Sequence, residues 1–336
     1  MDQALPIVVI GASIGGVNAI RALTAALPAG FAGALFVVLH VGRHKSELPW
    51  LLNRLGPLRA CHPRDGDPIH AGNIYVAPPD HHLLVEPGHM RLTRGPRENW
   101  ARPAVDPLFC SAAQAYGRDV IGVILTGGLN DGTAGLFEVK QRGGTTVVQD
   151  PDDAADPGMP RSALQHVVVD HCLPLREIPA LLATLVGKRQ PHSFSEGAKA
   201  AAPSQREDTM AADYTMDDPV AVTCPDCGGA LRRIKLGTLT QFRCHIGHVY
   251  TAEIMVAAQF AAMEWSLGAA MRSLSERREL CRQMSDKARA AGDARSTLQW
   301  TAAMNEAKER TGALRDLLER AWMHPGDAEP SAPSGG

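Results

Sequence analysis

The sequence predicts a doubly wound α/β domain with a mostly parallel sheet, followed by a small zinc-ribbon-like module and an α-helical hairpin. Three observations predict this. Continuous apolar runs recur between helix-like stretches, at 7–10, 34–39 and 120–125, as in strands buried on both faces. A C-x2-C pair, Cys224 and Cys227, is followed by Cys244 and two histidines, a spacing that suits a metal-stapled fold. Beyond Thr251 the apolar residues recur at spacings of four and three, the period of packed helices.

The first run passes straight into Gly11-Ala12-Ser13-Ile14-Gly15-Gly16, and a helix-like segment starts near Val17. A G-x-S-x-G pattern between strand and helix lifts a serine hydroxyl out of the sheet and aims a helix N-terminus at whatever the serine attacks. The same glycines could cradle a phosphate, because this loop is one substitution from a dinucleotide fingerprint. The second run ends in His40, and the third leads into Thr126-Gly127-Gly128-Leu129-Asn130-Asp131-Gly132. Carboxyl ends of parallel strands share one sheet edge, where such folds place their sites. Ser13, His40 and Asp131 are therefore expected together as nucleophile, base and acid. Each also has a plainer role: Ser13 as turn filler, His40 as a polar strand end, Asp131 as the N-cap of a helix after Gly132. The chain order Ser, His, Asp differs from the Ser, acid, His order of α/β-hydrolases, which points to another fold.

Residues from about 7 to 186 resemble the catalytic domain of the chemotaxis protein-glutamate methylesterases, the CheB-like family. The segments that carry the resemblance are GASIGG at 11–16, VVLH at 37–40, GNIYVAPPDHHL at 72–83 and RPAVDPLF at 102–109. LTGGLNDGTAGL at 125–136, QDP at 149–151 and GMPRSAL at 158–164 complete it. The resemblance implies hydrolysis of glutamyl methyl esters on a protein, with release of methanol, and in some members deamidation of glutamine. It implies a methylated protein substrate, the cytoplasmic domain of a chemoreceptor, no catalytic cofactor and a cytoplasmic setting. It puts the nucleophile on Ser13, the base on His40 and the acid on Asp131. Backbone amides near Ile14, Gly15, Gly127 and Gly128 are the expected oxyanion donors. Many members carry a preceding receiver domain, and none is expected here. The chain departs from the family pattern at Ile14, where a hydroxyl residue is usual, and at Gly128-Leu129, where Met-Gly is usual. Leu129 thus stands where a glycine could adopt an unusual backbone conformation.

The 336 residues carry 34 basic and 36 acidic side chains, a formal net charge of −2. That balance gives no bulk drive towards nucleic acid. No apolar run is expected to be long enough to enter a membrane. Seven cysteines, an odd number, argue against a disulfide framework. Cys61, Cys110, Cys172 and Cys281 read as small hydrophobes or free thiols. Cys224, Cys227 and Cys244, with His248 or alternatively His245, form a Cys3His set for a structural Zn²⁺. So short a segment has little core, and a metal would supply folding energy. The nearby Arg232, Arg233, Lys235 and Arg243 are read as solvated charges.

The expected organisation is a catalytic domain at 1–187, a flexible linker at 188–219, a ribbon module at 220–250, a helical hairpin at 251–323 and a disordered tail at 324–336. The linker and tail are rich in Ala, Ser and Pro, without periodicity. In the hairpin, Leu267, Met271 and Leu274 share one face. Trp300, Met304, Ala307, Thr311, Leu314, Leu318 and Ala321 form a heptad-like stripe, suited to the partner helix or to self-association. Ala291-Gly292-Asp293 breaks and recaps the helix. Two readings compete with the esterase. One is a nucleotide-binding domain, weakened because Ser13 stands where the second fingerprint glycine belongs. The other is a signalling adaptor with a residual triad that binds through its C-terminal module.

Overall fold

In this computed structural model, residues 5–40, 46–188 and 221–320 are described. The expected linker lies outside these except for its first residue, Lys188, which ends a helix; the expected tail and Ala321 lie outside them too. The described chain divides into two compact units, Met1–Val256 and Ala257–Gly336.

The first unit is built on a seven-stranded sheet of order β3-β4-β2-β1-β7-β8-β9. Its strands are β1 (Ile7–Ala12), β2 (Ala34–Leu39), β3 (Arg59–Cys61), β4 (Asn73–Val76), β7 (Val120–Ile124), β8 (Thr145–Gln149) and β9 (His171–Leu173). Every pairing in it is parallel. Residues alternate between two buried faces. Ile7, Val9, Phe36 and Val38 face α3 (Val105–Tyr116), α4 (Thr133–Gln141) and α5 (Gly158–His166) through Val105, Leu108, Leu136 and Met159. Val8, Ile10, Leu35 and Val37 face α1 (Gly16–Ala25), α2 (Leu48–Leu55) and α6 (Ile178–Lys188) through Ile20, Leu23, Leu52 and Leu182. Burial on both sides is why these strands read as unbroken apolar runs.

The chain winds from β1 outward through β2 to β4 and β3, then returns beside β1 as β7 and winds the other way. The reversal lies at β1, the position where doubly wound sheets open a crevice. A separate antiparallel hairpin, β5 (His82–Glu86) and β6 (His89–Thr93), covers one flank. The ribbon segment belongs to this first unit. It is an antiparallel three-stranded sheet of β10 (Leu231–Leu236), β11 (Leu239–Cys244) and β12 (Val249–Thr251).

Two long helices follow, α7 (Ala252–Ala290) and α8 (Ala294–Glu319). Gly292 adopts φ 72°, and the Asp293 carboxylate accepts the Ser296 N–H at 3.0 Å, an N-cap after a helix break. Ile254, Met255 and Ala258 are buried near the start of α7, and Cys281, Ser285, Ala307 and Thr311 are buried further along the hairpin. The Ser285 and Thr301 hydroxyls pair at 2.9 Å. Trp300, expected in the stripe, is instead exposed. Thr301 takes the inward place at that turn, while Ala307 and Thr311 of the expected stripe are buried and Met304, Leu314 and Leu318 half-buried. The expectation about membrane-spanning length is corrected too. α7 contains an 18-residue window apolar enough, by length and composition alone, to cross a membrane. Its alanines and scattered large residues raise the average without forming an unbroken run.

Candidate active site

The turn after β1 is held from both sides. Ser13 N–H donates to Thr126 O at 3.0 Å, Gly16 N–H to Ser13 O at 2.8 Å, and the Thr126 hydroxyl to Ile14 O at 2.9 Å. Gly15 adopts φ 76° as the N-cap of α1, a conformation glycine adopts without penalty. A Cβ on Gly127 would lie 2.8 Å from the Ser13 Cβ and 2.2 Å from the Met159 sulfur. The loop after β7 therefore needs glycine at 127 to sit against the serine.

His40 follows β2 directly, and its N–H donates to Ala12 O at 3.2 Å. Its Nε2 lies 2.8 Å from the Asp131 Oδ2. Asp131 is buried and does not cap α4, whose N-cap is Gly132. Its carboxylate sits instead at the N-terminus of α3, accepting the Val105 N–H at 2.6 Å and the Asp106 N–H at 3.3 Å. The Asn99 Nδ2 donates to its Oδ1 at 2.7 Å. Burial alone would raise this carboxyl, but the His40, Val105 and Asn99 hydrogen bonds outweigh it and hold Asp131 below the usual carboxylate range.

Sequence reasoning passed over the layer behind Asp131. Asp106 is buried, and its two oxygens accept the Gly135 N–H and the Asn99 Nδ2, each at 2.7 Å. Burial and the Asp131 charge push Asp106 well above the ordinary range. Asn99 thus spans two carboxyls with one amide group. Arg102 braces the same loop by donating to Asp80 Oδ1 from Nε at 3.0 Å and Nη2 at 2.6 Å. The signal available in the sequence was Asp106, a carboxylate within the apolar stretch of RPAVDPLF; Asn99, set among Arg97, Glu98 and Arg102, carried none.

Of the amides expected to meet an oxyanion, Gly127 N–H is committed to Asp156 O at 2.9 Å. Ile14, Gly15 and Gly128 remain as candidates. Leu129, in place of glycine, adopts φ 61°, left-handed backbone that costs a side-chain-bearing residue about 1–2 kcal/mol. Ile14 and Leu129 are both exposed.

The ribbon brings Cys224, Cys227, Cys244 and His248 together, with all ligand atoms within 4.8 Å of one another. Tetrahedral Zn²⁺ with Zn–S about 2.3 Å and Zn–N about 2.05 Å requires S···S near 3.8 Å and S···N near 3.6 Å. Cys227 and Cys244 sulfurs are 3.8 Å apart, and His248 Nδ1 lies 3.6 Å from Cys224 and 3.4 Å from Cys244. The donor set therefore fits the ion. The other His248 nitrogen lies 3.8 Å from Asp226, the kind of outer partner that orients metal-binding histidines. The alternative ligand, His245, packs over Gly229, where a Cβ would meet its ring.

The fold and site together define a doubly wound α/β protein with a serine, a histidine and a buried carboxylate at its topological switch point. The chain belongs to the CheB methylesterase family, whose profile matches residues 8–182. It is 34% identical to the Thermotoga maritima CheB methylesterase catalytic domain, with a TM-score of 0.53, over 54% of this chain and 98% of that one. Protein-glutamate methylesterase/protein-glutamine glutaminase 2 of Anaeromyxobacter dehalogenans is 42% identical over 183 residues, 53% of each chain. The Chromohalobacter salexigens protein-glutamate methylesterase/protein-glutamine glutaminase is 39% identical over 180 residues, 52% of this chain and 51% of its own. The chain thus spans about half the length of these two relatives.

Proposed function

We propose that this chain is a serine hydrolase that removes methyl esters from glutamyl side chains of a protein and releases methanol. The observation that carries the reading is the 2.8 Å pair of His40 with buried Asp131, on the sheet edge where the Ser13 turn is braced by Thr126. Asp131 receives one ring nitrogen of His40, leaving the other, Nδ1, to take the Ser13 proton. Ser13 then attacks the ester carbonyl, and amides of Ile14, Gly15 or Gly128 meet the oxyanion. His40 returns the proton to departing methanol and next activates water to release the glutamate. Attack on a primary amide follows the same course with ammonia leaving. Glutamine deamidation is therefore a second activity of the same site, in line with the names of the two relatives.

The substrate in this reading is the cytoplasmic domain of a methylated chemoreceptor, so the enzyme works in the cytoplasm. Exposed Ile14 and Leu129 give the site an apolar rim suited to an uncharged ester rather than to the carboxylate product. Zn²⁺ held by Cys224, Cys227, Cys244 and His248 is structural, supplying folding energy to the ribbon, and no cofactor enters the chemistry. Exposed Trp265, Leu280 and Leu298 on the long helices support self-association through the hairpin.

Methanol release from a methyl-esterified receptor cytoplasmic fragment tests the reading. Ser13→Ala should abolish turnover while leaving the fold intact. Near-normal release by that variant would overturn the assignment of the nucleophile.

A further inference from the structure

The ribbon is joined to the catalytic domain at the residues that hold Asp131. Strand β12 runs parallel to the segment before Arg102, with Val249 bridged to Glu98. Asn99 N–H donates to Val249 O at 2.7 Å, and Val249 N–H to Arg97 O at 3.4 Å. Thr251 N–H donates to the Asn99 Oδ1 at 3.3 Å. The Thr251 hydroxyl donates to the Asn130 Oδ1 at 2.6 Å, and the Asn130 Nδ2 to Glu253 at 2.6 Å. Asn99, Asn130, Asp131 and Thr251 are all buried.

These contacts decide which way two amides point. The Asn99 oxygen is taken by Thr251, so its Nδ2 must face the carboxyls of Asp131 and Asp106. A flipped amide would set its NH₂ against the Thr251 N–H and its oxygen against two carboxyls. Asn99 and Trp100 also hold positive φ, 50° and 61°, a turn whose strain persists only while its surroundings over-determine it. The Val249 pairing supplies that constraint. His248, whose Nδ1 lies in the Cys3His cluster, directly precedes this strand. Tyr250, fully buried between them, donates its hydroxyl to Asp226 at 2.7 Å.

We propose that Asn99 and Thr251 are positioning residues for the hydrolytic reaction, and that Zn²⁺ in the Cys3His knuckle acts on Asp131 through them. The ribbon is then a part of the catalytic centre, with loss of the ion felt at the triad. A metal knuckle at one end of β12 fixes the strand. The strand fixes the Asn99 amide on one side of Asp131 and Asn130 on the other. This inference rests on the esterase reading, and its test is built to fail separately from it.

The test uses the full chain, loaded with Zn²⁺ and then stripped with a chelator, beside Thr251→Val and Thr251→Ser. Turnover is measured per active serine, counted with a serine-directed organophosphorus reagent. Stripping and Thr251→Val should each lower kcat by about tenfold, the range typical of partners behind a site, with KM little changed. Thr251→Ser should restore the rate, Zn²⁺ should reverse the stripping, and chelation should add little to the Thr251→Val loss. An unchanged kcat per active serine after stripping, with only thermal stability reduced, would overturn the proposal. If the zinc-loaded chain shows no Ser13-dependent hydrolysis, the esterase reading falls alone. The coupling is then judged by hydrogen exchange. Faster exchange at the Asn99 and Val105 amides on stripping upholds it, and unchanged exchange there overturns it.

Discussion

Replacing Asp131 with asparagine tests the central contact most directly, and the structure sets its magnitude. Oδ2 accepts from His40 and Val105, and Oδ1 from Asn99 and Asp106. The new NH₂ must therefore face two donors in either orientation. If it faces His40, the imidazole is forced into the wrong tautomer, which costs a serine triad about 10⁴ in kcat. If it faces Asn99, His40 keeps a hydrogen bond but loses its counter-charge. Unit charges about 4 Å apart at an effective dielectric near 20 interact by about 4 kcal/mol, or about 10³ in rate. Asp131→Asn should therefore lower kcat for methanol release by roughly 10³ to 10⁴. KM should change little, because the carboxylate lies behind the histidine and away from the substrate. The assay is steady-state methanol release on the methylated receptor fragment, with folding checked by circular dichroism. A folded variant retaining more than a tenth of the wild-type kcat would refute the role assigned to the pair.

Further outcomes follow from neighbouring residues. Leu129→Gly should raise stability by about 1 kcal/mol in denaturant melts, because left-handed backbone no longer carries a side chain; lower stability would show that the exposed leucine is held by packing. Gly127→Ala should depress kcat about tenfold or more, since its methyl must displace the Ser13 Cβ or the Met159 sulfur; an unaffected rate would show that the loop yields freely. Asp106, whose folded pKa is raised, retains a proton that the unfolded chain has lost. Its contribution to stability therefore falls as pH rises from about 4 towards that raised value. Asp106→Asn should flatten this alkaline decline in melts taken from pH 5 to 8. Asp131, held low, contributes with the opposite slope: its stabilisation is present above about pH 4 and is lost as acid takes the pH through its folded value. Metal analysis of the purified chain should find about one zinc per chain, removed by substituting Cys227 with serine.

The strands that place Ser13 and His40 were legible because burial on both faces leaves unbroken apolar runs, and 34–39 coincides with β2. Short strands such as β3 and β9, of three residues each, carry too little pattern to announce themselves. The meeting of Asp131 with His40 was legible from its place after the third run, but not the donors around it. Besides His40, its donors are Asn99, Val105 and Asp106, which lie 32, 26 and 25 residues upstream and meet it only in the folded chain. The Cys3His set was legible from spacing, since a knuckle is a local turn. Its seat on the catalytic domain was not, because Thr251 reaches Asn130 across 121 residues, and the run after Val249 looks like the start of a helix.

The order of strands in the sheet explains the order of Ser13, His40 and Asp131 in the chain. β1 lies between β2 and β7, so Ser13 is central, with His40 on the adjoining strand to one side. Asp131 arrives from the other side, and β7 ends at Ile124, seven residues before it. The intervening loop must carry the carboxylate back across the serine turn, since strands two apart are separated by about 10 Å. That crossing imposes the local chemistry. Gly127 has to pass against Ser13, Leu129 has to take a left-handed backbone, and Asn130 is turned towards Glu253 and Thr251. A loop so constrained cannot place a buried charge unaided. Asp131 is therefore fixed by the amides at the start of α3 and by Asn99. The part of this site open to variation is the exposed rim of Ile14 and Leu129, and the part that cannot vary independently is the set of donors behind the acid.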